Sequence, residues 1–177
     1  MGEAHEHAGG AGAKLGWALL GTQTFIVLCY FGLDYNVKAS PDIPVNVEVT
    51  NYYGGYMDVH VMIFIGFGYL MTFLYRHGYG SVGLNFFVAA LALEWGMLVV
   101  PMVKNLFHGD GLFDHAITDV VMLIEGDFAA AAVLITFGGL LGKVSPLQLL
   151  VVALVEVVVY AINFELVAKI GTLDVGG

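Results

Sequence analysis

The stretch Asp58–Gly83, DVHVMIFIGFGYLMTFLYRHGYGSVG, decides how this chain is to be read. It opens on an acid and a histidine and runs apolar from Val61 to Tyr75. It then closes on Arg76 and His77 and turns through Gly78 and Gly80 into a second apolar run. That pattern predicts one membrane crossing, a tight turn carrying positive charge, and the start of a return crossing.

The composition agrees with a bilayer setting. Of the 177 residues, 59% are hydrophobic and 12% charged, whereas a soluble domain is nearer a quarter charged. So little polar surface cannot cover a water-soluble monomer. The net charge of −9 argues against nucleic acid as a partner, because that affinity comes from Lys and Arg meeting phosphates. The single cysteine, Cys29, excludes an intrachain disulfide. There is no Asn-x-Ser/Thr acceptor site for glycosylation.

Five crossings are expected, in an all-α membrane protein. Met1–Lys14 is a Gly/Ala tail with His5 and His7, read as a disordered terminus and not as a metal site. Leu15–Leu33 carries no charge and spans ~28 Å as a helix. It lacks the basic start and small-residue cleavage site of a signal peptide, so it is expected to be retained. Residues 34–57 contain Pro41, Pro44 and three acids and are expected to form a water-facing loop. Val59–Tyr75 is the second helix, in which Gly66 and Gly68 would allow a neighbour to approach. Gly80–Pro101 is the third, Met102–Thr118 a polar loop, Asp119–Leu141 the fourth helix and Leu147–Ala168 the fifth.

Counting Lys and Arg divides them equally between the two sides. Arg76 and Lys143 occupy the two shortest loops, where positive charge is most diagnostic, so the N-terminus is expected to be cytoplasmic. Asp58, Asp127, Phe128 and Asp174 then fall on the outer side.

Charged residues in membrane segments are costly and therefore worth testing for function. Glu125 and Asp127 precede Phe128 near the start of the fourth helix, with Ile124 one turn earlier. Two carboxylates at a mouth would concentrate a small cation. An aromatic face below them would hold that cation at ~1–2 kcal/mol when desolvated. The ordinary alternative is a solvated helix end followed by a packing phenylalanine. Asp174, taken alone, reads as a loop acid. Glu94 and Glu156 lie mid-membrane and read either as hydrogen bonds between helices or as proton carriers. With no Lys or Arg in their helices, an intramembrane ion pair with either is excluded. His60, His77, His108 and His115 fall at helix ends or in loops, which disfavours haem ligation. No nucleophile–His–acid set and no glycine-rich phosphate loop suggests an enzyme, and no cofactor is implied.

Six collinear motifs resemble the Rh glycoproteins, the ammonia-channel branch of the ammonium transporters. They are Asp58-Val-His60-Val-Met, Gly66-Phe-Gly68-Tyr-Leu-Met-Thr-Phe-Leu, Val82-Gly-Leu-Asn85-Phe, Asp127-Phe128, Gly142-Lys-Val-Ser-Pro146-Leu-Gln-Leu-Leu and Asp174-Val-Gly-Gly177. The resemblance implies a homotrimer in the plasma membrane, each protomer holding its own apolar pore. It implies eleven or twelve helices built from two inverted repeats. Residues 15–33 would be the additional N-terminal helix, and residues 58–177 the first four helices of the first repeat. Phe128 would be one of two gating phenylalanines and Asp174 the pore aspartate.

The family's first pore histidine follows that aspartate by some eight residues, beyond Gly177. The chain therefore reads as the N-terminal portion of a longer protein, not conducting by itself. Glu94 and Glu156 depart from the family's amides. The implied substrate is ammonium, passed as ammonia after deprotonation at an outer vestibule. A channel for another neutral gas such as carbon dioxide, or a non-conducting structural or sensing subunit, are the alternatives.

Overall fold

The computed structural model describes residues 2–35, 47–76, 78–109, 111–112 and 117–172. Asp174, His77, Asp110, Asp114, His115 and Lys38 lie outside the described residues. Five helices are long and apolar enough to cross a membrane, as the hydropathy pattern requires. Besides them, Asp34–Tyr35 (β1) and Ile117–Thr118 (β2) pair in parallel, tying two connections together at one end of the bundle.

The first helix, α1, runs Gly2–Tyr30. The expected disordered tail is instead helical from Gly2. No proline precedes Tyr30, so nothing stops a nucleated helix from propagating back toward the N-terminus.

The second helix, α2, begins at Val47 and runs to Val61. It continues through a π-helical turn, Met62–Phe67, then Gly68–Leu70 and a 3-10 turn, Met71–Phe73. The loop expected over residues 34–57 is thus corrected from Val47 onward. Pro44 is the last residue there that blocks i→i−4 bonding, and Gly54 and Gly55 are tolerated. The candidate span is Asn51–Phe73.

Helix α3, Gly78–His108, runs through Pro101 instead of stopping there. Pro101 is buried, and packing on both sides holds the helix across the lost hydrogen bond. The polar loop expected from Met102 therefore starts only after His108, whose Nδ1 donates to the Lys104 carbonyl at 2.8 Å. Gly109, at φ +81°, then turns the chain.

Helix α4, Val120–Leu140, agrees with expectation. Asp119 caps it by accepting from the Met122 amide at 2.8 Å. Helix α5, Pro146–Ile170, opens on a reciprocal capping box between Ser145 and Gln148 and closes on Gly171 at φ +73°.

Helix α3 is the centre. It packs on α4 and α5, and 56% of its apolar span is buried against 6% for α1. The α3–α4 crossing depends on small residues. A Cβ on Gly126 would come within 3.2 Å of the Leu93 carbonyl, and one on Gly96 within 3.1 Å of the Ala129 Cβ. Ala129 and Ala130 are fully buried in the same seam. With no hydrophobic force between helices in lipid, this backbone proximity supplies the attraction. Of the two glycines expected to admit a neighbour, Gly68 does so, facing Phe86, while Gly66 faces open space.

Candidate functional site

The longer α2 changes where its side chains sit. His60 lies about 13 Å along the span that starts at Asn51, and Asp127 about 10 Å beyond the start of α4. Both are therefore inside the bilayer thickness, in the half nearer the β1–β2 pairing. His60 had been expected at a helix end, because the helix was expected to start at Val59.

Asp127 has no exposed surface. His60 Nδ1 stands 3.1 Å from each of its carboxylate oxygens. With the proton on Nδ1, His60 donates one shared hydrogen bond to both. This His–carboxylate pair joins α2 to α4 within the membrane. From sequence, Asp127 is expected at a mouth and His60 at a helix end, which keeps the two apart. The His60 side chain is about one-third exposed. Its ring centroid lies 5.2 Å from Tyr56 and 4.4 Å from Phe64. Tyr53 extends this ladder at one end and Phe86 at the other. The spacing Tyr56, His60, Phe64 at i, i+4, i+8 is the signal that could have revealed it, once the helix is carried back past Asp58.

The site residues expected from sequence divide as follows. Phe128 and Ile124 are both half-buried, one turn apart on α4. Asp127 is next to Phe128 in the chain but is turned inward to His60. It is thus not a solvated carboxylate at a mouth. Glu125 is half-buried, with Lys104 of α3, Asp119, and Glu165 of α5 acting on it electrostatically. Glu165, not singled out from sequence, is itself buried. Asp174 lies outside the described residues.

Glu94 and Glu156 are both hydrogen-bonded between helices. Gln23 Nε2 of α1 donates to Glu94 Oε2 at 2.6 Å, and Tyr30 donates to the Glu94 carbonyl at 3.0 Å. Thr136 of α4 donates to Glu156 Oε1 at 2.5 Å, while Oε2 is buried without a partner. Trp95 Nε1 donates to the Leu154 carbonyl at 2.9 Å, linking α3 to α5. Among the described residues no cluster of His, Cys, Asp and Glu could hold a metal ion.

The sequence profile of the Ammonium Transporter Family matches residues 43–177. The chain is 50% identical over 127 residues to an ammonium transporter Rh type B of Takifugu rubripes, covering 71% of this chain and 26% of that relative. It is 44% identical over 144 residues to one of Danio rerio, covering 81% and 30%. Against one of Mus musculus the identity is 48% over 126 residues, covering 71% and 27%. The chain thus spans less than a third of the length of these curated relatives.

Proposed function

The chain belongs to the Ammonium Transporter Family, and from that premise we propose that it supplies the outer mouth and one wall of an Rh-type ammonia channel. Its substrate is ammonium, drawn to the outer side and passed as ammonia. Loss of the proton is favoured where water is stripped away, since an apolar passage penalises a charge far more than a small neutral amine. Helix α1 is the additional N-terminal helix, and the helices from α2 onward begin the first of two inverted repeats. The protein is a homotrimer of the plasma membrane with a cytoplasmic N-terminus. Phe128 is a gate residue, one helical turn from Ile124, and Asp174 is the pore aspartate.

What supports this reading above all is the position of Phe128. It stands half-buried in the outer part of α4, one residue from an acid that is itself locked to α2. An aromatic ring held there, and not free to swing with a mobile loop, is suited to screening what passes. The relatives' printed names, all ammonium transporters, favour an amine over carbon dioxide.

The test is Phe128→Ala in the protein expressed from its complete reading frame, reconstituted in liposomes and followed by stopped-flow pH traces. The expected result is faster methylamine entry relative to ammonia than the parent shows. Flux and discrimination both unchanged would remove Phe128 from the gate.

A further inference from the structure

The His60–Asp127 pair is an unusual arrangement for a membrane span. Asp127 is completely buried, and His60 is its one hydrogen-bond partner among the described residues. The carboxylate sits on α4 and the imidazole on α2, so the bond fixes one helix against the other. It also fixes rotation. Successive residues on a helix are 100° apart, so anchoring Asp127 toward α2 sets the direction in which Phe128 projects. Ile124, one turn before Phe128, is set by the same anchor.

The imidazole is held in turn. Tyr56 and Phe64 lie on either side of it at 5.2 and 4.4 Å, one helical turn before and after on the same face. Phe64 also stacks on Phe86 of α3 at 6.0 Å. The arrangement therefore runs from α3, through the ring ladder on α2, to the carboxylate on α4.

We propose that His60 is a positioning residue for the passage of amines: through Asp127 it fixes the orientation of Phe128 and so sets the size of amine admitted. This deepens the proposed function and rests on that reading. His60 need not touch the substrate. Without its donor, Asp127 would be a buried carboxylate lacking a partner, a state costly enough to rotate or shift α4.

Two substitutions separate the donor from the shape. Asn places an amide Nδ2 where His has Nδ1, so His60→Asn keeps a donor to Asp127. His60→Leu fills similar space without one. The complete protein is assayed in liposomes for entry of ammonia and of methylamine, and the ratio of the two rates is read. His60→Asn is expected to hold the parental ratio. His60→Leu is expected to shift it toward methylamine by about tenfold, equivalent to ~1.4 kcal/mol of lost discrimination. His60→Leu combined with Phe128→Ala is expected to shift it no further than Phe128→Ala alone, because the histidine acts through the phenylalanine.

A parental ratio in His60→Leu would overturn the inference, as would multiplied effects in the double variant. Should His60→Leu fail to assemble, a shifted ratio in His60→Asn would overturn it alone, and a parental one would support it. A parent protein that conducts neither amine would instead remove the proposed function on which the inference stands.

Discussion

A buried acid is stable in lipid only when something donates to it, and this chain solves that problem differently at three of its intramembrane carboxylates. Asp127 takes a histidine, Glu94 a glutamine and Glu156 a threonine. The acids were visible in the sequence, but their partners were not, because each partner is far along the chain on another helix. Periodicity within one segment cannot say which neighbour a side chain will meet. His60 shows this most sharply: an expected helix start twelve residues too late made it a terminal residue and hid the pair. For Glu156, the Thr136→Val change should destabilise the protein by about 1 kcal/mol, since it leaves a second buried oxygen unpaired. Adding Glu156→Leu should recover most of that loss, because removing both partners leaves no unpaired polar group. Reversible unfolding in mixed micelles with increasing dodecyl sulfate would measure both. Equal stability of parent and Thr136→Val would show that the 2.5 Å contact contributes nothing.

Among the helices, existence was legible and extent was not. Each apolar run is long and carries few charges, and lipid leaves the backbone no alternative but to bond to itself. The ends were misplaced where the chain has turn-forming residues but tertiary support. Tyr52 to Tyr56 fall in the expected loop and are helix, and Pro101, the expected end of its helix, is buried within it. The polar cap at Asp119 and the Ser145–Gln148 box, by contrast, work through neighbours in sequence, and those two helix starts were read nearly correctly. The close α3–α4 seam makes its own prediction. Gly126→Val puts methyl groups against the Leu93 carbonyl and Met97. Such overpacking should cost about 1–3 kcal/mol. The same unfolding titration would detect it, and a Gly126→Val protein as stable as the parent would mean the helices are not in contact there.

At the scale of the whole molecule, alternating spans place Arg76 and Lys143 at one end of the bundle, and Lys104, Lys169 and the β1–β2 pairing at the other. With Cys29 replaced by Ser, single cysteines introduced by Lys143→Cys and Lys104→Cys should separate in intact cells. A membrane-impermeant maleimide is expected to label the Lys104→Cys protein and to reach the Lys143→Cys protein only after permeabilisation. The reverse pattern would invert the topology and move the His60–Asp127 pair to the cytoplasmic half. The direct question is whether this bundle, within the complete protein, conducts ammonia. Liposomes holding that protein and a pH dye, mixed with an ammonium gradient in a stopped-flow instrument, answer it. The account predicts internal alkalinisation clearly faster than in empty liposomes of the same lipid; traces that superimpose on those of empty liposomes would contradict it.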